Sequence, residues 1–246
     1  MEPDPQQPRE KIVHRAEQAA EHAEQHLPSW LRPGDPESRW PVLLALIAAI
    51  VVQRMIPERY TLVPRWPLIS LEIALVLVLL VINPVRLTRS TVTGKYVSWV
   101  LLAAIAVDNT LSAFKLDREI VTGGISNNPA VLLGSGAGIF VTNIIVFGIW
   151  FWELDRGGPF ARRAGENPYP DFMFPQMSGV PSQVARPDWR PTFVDYLYVS
   201  ITNVMAFSPT DTMPLSRRAK LLMTVQAVVA VSTLVLVVAR AVNVLP

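Results

Sequence analysis

Residues 193–216 read FVDYLYVSITNVMAFSPTDTMPLS. The run from Phe193 to Phe207 is apolar, and it stops at Ser208-Pro209-Thr210-Asp211. Fifteen helical residues at ~1.5 Å each cover only about 22 Å, against a hydrocarbon core of about 30 Å. A helix that ends part-way into a membrane survives only where its end is buried in protein or lines water. Whether this run turns back or crosses decides the fold, because it sets the number of spans and the side of the C-terminus.

The rest of the chain supplies the membrane argument. Of 246 residues, 50% are hydrophobic and 17% charged, where a soluble domain carries about 25% charged residues. Residues 1–39 hold eight acidic and five basic groups, so the remainder carries +5 of a net +2. Beyond them lie apolar stretches predicted to span: Trp40–Ile56, Trp66–Ile82, Tyr96–Phe114, Pro129–Trp152 and Arg217–Leu245. Asn128 suits an N-cap ahead of a first-turn proline, and Trp150-Phe151-Trp152 suits a membrane–water boundary. The expected fold is all-α: a multi-pass transmembrane helix bundle with five spans plus a short re-entrant segment, or with six spans. Residues 1–39 read as a polar tail with an amphipathic helix over 11–27 and a hinge at Pro28, Pro33 and Pro36, residues 40–128 as three spans, and residues 129–246 as a second module. The tail holds no apolar run of the signal-peptide kind.

Composition narrows the chemistry. With no cysteine there is no disulfide, thiol nucleophile or cysteine zinc site. A net charge of +2 without a lysine-rich run gives no reason to expect nucleic acid. All three histidines, His14, His22 and His26, lie in the tail. His22 and His26 share a helical face, which reads as a solvated face before it reads as a metal or pH site. No catalytic residue, cofactor or metal site is predicted, and an enzyme is not expected.

Polar groups within the apolar runs are the remaining candidates: Glu72, Asp108, Asn109, Asn143 and Gln226, with Thr202 and Asn203 in the short run. An ionisable side chain at membrane depth costs at least ~2.5 kcal/mol on insertion scales, so it faces protein or water. Glu72 and Asp108 then read either as relay groups on an ion path, or as an interfacial Glu72 and an internally paired Asp108. Asn143, Thr202, Asn203 and Gln226 read as hydrogen bonds between helices. Gly134-Ser135-Gly136-Ala137-Gly138 lacks the Lys-Ser/Thr of a phosphate loop. Gly134 and Gly138 sit four apart on one face, which predicts close helix packing.

The segment DYLYVSITNVMAFSPTDTMPLSRRAKLLMTVQAVVAV, Asp195 to Val231, resembles the pore half of a potassium channel. Leu197-Tyr198-Val199-Ser200 matches the pore-helix LYFS pattern. Phe207-Ser208-Pro209-Thr210-Asp211 falls on the filter's V-G-Y-G-D, Pro214 on a following proline, and Arg217/Arg218 near the basic residue that opens the inner helix. The same segment resembles the C-terminal part of an uncharacterised family of bacterial predicted membrane proteins, with a D-x-LY-x-S/A-x-T start and a later S/T-D. The channel resemblance implies an outer helix over 129–152, a proline-rich loop over 153–192, a pore-helix-like segment over 193–207, a filter-like loop over 208–214 and an inner helix over 217–245. It implies a homotetramer around an inorganic cation path, with Thr202, Asn203, Phe207, Ser208, Pro209, Thr210 and Asp211 at the pore. Both filter glycines are replaced, by Ser208 and Thr210, and Pro209 fixes its own φ. Filter glycines adopt angles closed to other residues, so a carbonyl-lined potassium filter is not expected.

Two arguments about sidedness conflict. With five spans, the tail, the 83–95 loop and the 153–220 region share one side and hold 16 Lys and Arg, against six on the other. The positive-inside rule puts the N-terminus in the cytoplasm, whereas the channel resemblance puts the loop before the pore helix outside. Six full spans would put both termini inside. The scarcity of lysine, four against 18 arginines, suits a GC-rich bacterial genome and a bacterial plasma-membrane protein among lipids. Two other functions stay open. One is a small-molecule transporter or binder with a water-filled cavity lined by Glu72, Asp108, Asn143 and Asn203. The other is a non-conducting structural subunit.

Overall fold

The computed structural model describes residues 27–60 except 36 and 39, scattered positions between 66 and 77, and residues 92–124, 128–206 and 211–244. The tail helix expected over 11–27 with its histidines, most of the second span including Glu72, and Phe207, Ser208, Pro209 and Thr210 lie outside the described residues.

The described chain is mostly helical. Its helices are α1 (Trp40–Met55), α2 (Val92–Thr122), α3 (Pro129–Leu154), the short α4 (Pro159–Ala164) and α5 (Gly179–Val184), α6 (Phe193–Met205) and α7 (Arg217–Val244). Residues Phe172–Met173 (β1) and Met213–Pro214 (β2) pair antiparallel, with Phe172 opposite Pro214. Among the described residues three segments are long and apolar enough to cross a membrane: Tyr96–Thr122 in α2, Pro129–Gly157 (α3 with the turn that follows it) and Arg217–Asn243 in α7. The apolar α1 is shorter. These helices point to a membrane protein.

The termini of α3 are built as the sequence predicts at one end and otherwise at the other. Asn128 Oδ1 accepts from the N–H groups of Ala130 (3.0 Å) and Val131 (3.4 Å), with Pro129 in the first turn. The other end continues past Trp152 to Leu154 and into a tight turn, Asp155–Gly157. Helix α2 is also longer than expected, running eight residues beyond Phe114 to Thr122.

Helix α3 is the central element, and α1, α2 and α7 run antiparallel to it. Trp99, early in α2, stacks edge-on against Trp150 at 5.7 Å. Gly138, early in α3, lies under Ile56 just after α1, and Gly136 lies under Val237 late in α7. Helix α6 also runs antiparallel to α3: Tyr196 meets Asp155, while Ser200 reaches the carbonyl of Ile144 at 2.6 Å. It stops at Met205. The chain then comes back, because Leu215 N–H donates to Asp171 O (2.8 Å) and Asp171 is itself held against Asp155. Both ends of the α6 excursion therefore lie at the same end of α3. Helix α7 starts from that end.

The glycines of α3 set its neighbours' distances, though not all those expected to. A Cβ on Gly136 would meet Val237 Cγ1 at 2.8 Å, and one on Gly138 would meet Ile56 Cγ1 at 3.1 Å. These two neighbours belong to different sides of the helix. Gly134 meets nothing within 4 Å among the described residues, so the close packing assigned to Gly134 and Gly138 belongs to Gly136 and Gly138. Gly148 is the tightest contact with α6, where a Cβ would lie 3.2 Å from the Leu197 Cα. Backbone cannot rotate away, so Gly148→Val must push α6 outward. We expect it to lower unfolding free energy by about 1–3 kcal/mol, while Gly134→Ala changes it by no more than the ~1 kcal/mol helix-propensity gain. Thermal unfolding of both variants in one mild detergent checks this.

Candidate functional site

Two polar assemblies hold α6 in place. The first lies half-way along the bundle. Asn203, 7% exposed, donates from Nδ2 to Met223 O (3.0 Å) and to Gln226 Oε1 (2.9 Å). Gln226 is fully buried, and its Nε2 donates to Ser200 O (3.1 Å) and Ser200 Oγ (2.6 Å). Ser200 Oγ in turn donates to Ile144 O. The chain Asn203–Gln226–Ser200–Ile144 thus joins α7, α6 and α3, and it uses both Gln226 donors and its acceptor. Such bonds average only ~0.6 kcal/mol each in membranes, but a lost partner would strand the rest in a dry site.

The other intramembrane candidates divide. Asn203 and Gln226 bond between helices as the sequence suggests. Thr202 instead donates back within its own helix, to Tyr198 O (3.0 Å) or Val199 O (3.1 Å). Asp108 accepts from Gln53 Nε2 at 2.7 Å, which joins α2 to α1. Asn109, Thr142 and Asn143 are at most 2% exposed. Asn109 Oδ1, Thr142 Oγ1 and both amide atoms of Asn143 have no hydrogen-bond partner among the described residues. From the Trp99–Trp150 contact, Asn109 is about 15 Å along α2 and Thr142 about 12 Å back along α3. These groups therefore share a depth, within about one turn, with the Gln53–Asp108 pair. Neither the apolar cavity of about 30 Å³ between α1, α2 and α3 nor a cleft of about 480 Å³ at the end of α3 is lined by Asp108, Asn143 or Asn203. Asp211 is exposed in the turn after residues 207–210.

The second assembly was not foreseen. At the C-terminal end of α3, Asp155 is fully buried. Its Oδ1 accepts from Asp171 N (2.7 Å) and Phe172 N (3.3 Å), and its Oδ2 from the Tyr196 hydroxyl (2.6 Å). Asp171 returns the contact, its Oδ2 accepting from Arg156 N at 3.0 Å. Arg156 is buried at φ 55°, a conformation that costs a non-glycine residue about 1–3 kcal/mol and needs support. Its guanidinium donates to Asn167 O (2.6 Å) and to Trp30 O, and it lies 5.7 Å from the Trp30 ring centre.

Arg162 closes the helix end. Its Nη1 donates to the carbonyls of Trp152 and Asp155, both at 3.0 Å, and the Asp155 carbonyl also accepts from Gly158 N–H (3.0 Å). Its Nη2 pairs with Glu37 Oε1 at 3.1 Å, and Arg163 Nε joins the same oxygen at 3.3 Å. The Trp152 indole donates to Glu37 Oε2 at 2.7 Å. Burial alone would ease the proton off Arg162, but Tyr196, Glu37 and Asp155 around it outweigh burial and push its pKa above the ordinary arginine value. Residues 27–38, read from sequence as tail and hinge, are therefore tied to the 153–192 segment. Ser29 Oγ donates to Trp189 O (2.7 Å), and Gly34 N to Arg163 O (3.1 Å). Beneath the charges lies an aromatic cluster of Phe151, Phe172, Phe174, Trp189 and Tyr196, with ring centres 5.2–6.2 Å apart.

No local pattern announces this assembly, since Glu37 and Arg162 are 125 residues apart. The one available signal was Asp155-Arg156-Gly157-Gly158-Pro159, a charged pair followed by glycines directly after an apolar span. No protein-family model, curated protein or solved structure matches this chain.

Removing one partner of a buried ion pair strands the other, at about 3–5 kcal/mol. Glu37→Ala is expected to lower stability by that amount and to expose residues 27–38 to protease. Limited proteolysis and thermal unfolding in detergent check it, with Glu166→Ala, at an exposed position, as the neutral comparison.

Proposed function

We propose that this chain is a multi-pass bacterial plasma-membrane protein whose residues 129–246 form a pore-loop module, assembled as a homotetramer and lacking a potassium-type filter. The observation that carries the reading is α6. It is 13 residues long, about 20 Å at ~1.5 Å per residue. It leaves from and returns to one end of α3, and its far half is bonded to both α3 and α7 through Ser200, Asn203 and Gln226. A half-crossing helix buried against two long apolar helices is what a pore helix requires. In this reading α3 is the outer helix, α7 the inner helix, and residues 207–211 the lining of the path, with side chains of Ser208, Thr210 and Asp211 serving a cation in place of a carbonyl row.

The basic residues support one orientation. Arg156, Arg162, Arg163, Arg186, Arg190, Arg217, Arg218 and Lys220 all belong to the segment joining α3 to α7 or to the start of α7. By the positive-inside rule that end is cytoplasmic, together with the N-terminus. The module is then inverted relative to a potassium channel: α6 dips in from the cytoplasm, and the C-terminus lies outside.

The absence of both filter glycines favours a second reading, a scaffold that keeps the pore-loop fold and conducts nothing. Ion flux into proteoliposomes separates the two. Conduction predicts cation uptake that Asp211→Ala reduces; if both proteins match empty vesicles for common cations, conduction is wrong. A strictly monomeric protein in mild detergent and in nanodiscs would overturn the tetramer.

Topology has a clean test, because the chain contains no cysteine. Single cysteines at the exposed positions Val184, Met213 and Asn243 report three sites to a membrane-impermeant maleimide. The re-entrant reading expects Val184→Cys and Met213→Cys to react from the same side, the cytoplasmic one, and Asn243→Cys from the other. Reaction of the first two from opposite sides would mean that residues 193–212 cross.

A further inference from the structure

At the end of the bundle that carries the basic residues, a cleft of about 480 Å³ opens between the start of α2, the end of α3 and the start of α7. We propose that it binds the phosphodiester of an anionic phospholipid headgroup. The proposal rests on the membrane location of the chain and on the cytoplasmic side proposed for this end, and not on the pore reading.

The walls differ in kind. Trp99 and Leu154 belong to the apolar segments of α2 and α3, while Arg217 and Arg218 open α7 on the polar side. The cleft therefore straddles the boundary between apolar and polar surface, where indole and phenol rings such as Trp99 and Tyr169 are at home. Neither Arg217 nor Arg218 is in an ion pair with another described residue. Asp171 is the opposing charge on the wall, and its Oδ2 is engaged by the Arg156 N–H. Among the described lining residues, two guanidinium groups against one carboxylate leave a single net positive charge, which matches the single negative charge of a phosphodiester. Arginine's planar fork suits phosphate oxygens. The volume falls within the ~300–1,000 Å³ usual for organic ligands, far more than a free phosphate ion fills. Basic pockets between span ends on the cytoplasmic side are where anionic headgroups are held.

The test is native mass spectrometry of the full-length protein released from mild detergent after addition of phosphatidylglycerol or phosphatidylcholine. The variants are the double Arg217→Gln/Arg218→Gln, the charge-conserving Arg217→Lys/Arg218→Lys, and Arg186→Gln, which removes an exposed arginine from the 153–216 segment, away from the cleft. At about five-fold per basic residue near an anionic surface, the double Gln variant should bind phosphatidylglycerol on the order of 25-fold more weakly. The Lys pair should recover most of that loss, and Arg186→Gln should match wild type. The Lys pair also shows that weakened binding is not loss of the fold. Competition with millimolar inorganic phosphate distinguishes the source: a lipid site keeps its adduct, whereas displacement would show a site for soluble phosphate and overturn the lipid assignment. Equal retention of phosphatidylcholine and phosphatidylglycerol, or equal loss with Arg186→Gln, would overturn the site itself.

Discussion

The buried carboxylate of Asp155 is the constraint on which the arrangement turns. A charge taken out of water is tolerated only when its lone pairs are filled. Asp155 fills them with the backbone of Asp171 and Phe172 and with the Tyr196 hydroxyl. Each contact fixes a different piece of chain. Tyr196 anchors the first turn of α6 at the end of α3. Asp171 and Phe172 hold β1, and β1 pairs with β2, which carries the returning chain into α7. One carboxylate thereby fixes where the α6 excursion begins and where it ends. Arg162 and Glu37 stand behind it, the arginine capping α3 and the glutamate binding that arginine to residues 27–38.

Half-way along the bundle the polar groups that hold α6 are neutral and behave differently. Gln226 can satisfy Asn203 and Ser200 together because an amide carries donors and an acceptor at once. No charge need be desolvated, so the network fixes the depth of α6 at modest cost. At a similar level across α3, Asp108 is bonded to Gln53, while Asn143 has a buried amide without a partner among the described residues.

What the sequence could disclose follows from the range of each force. Apolar runs mark helices locally, and α1, α3 and α7 begin at Trp40, Pro129 and Arg217 as read. The shortness of the Phe193 run is likewise a local fact, and it pointed to the excursion α6 makes. Charge pairing is not local. Nothing near Glu37 says that its partner is Arg162, and nothing near Asp108 says that its partner is Gln53 rather than water. The proline-rich character of residues 153–192 reads as a loop, yet the aromatic residues spaced through it, Phe172, Phe174 and Trp189, are its core. Spacing on α3 also misled for a physical reason. Gly134 and Gly138 do share a face, but which glycine a neighbour approaches depends on where that neighbour crosses, and Val237 crosses at Gly136.

The conflict over sidedness concerns the resemblance more than the physics. A helix places a partial negative charge of roughly half a unit at its C-terminus. Helix α6 ends at Met205, two residues beyond the Asn203 bonds to α7, whichever solvent its first turn faces. A cation at mid-depth meets the same carbonyl end in either orientation. The membrane cost of translocating charge, by contrast, depends on sidedness, and it falls on the 153–220 segment with its eight basic residues. In the proposed reading, keeping that segment in the cytoplasm satisfies the positive-inside rule and leaves the dipole of α6 where a pore helix needs it. The proposed inverted module therefore gives up only likeness to its counterpart.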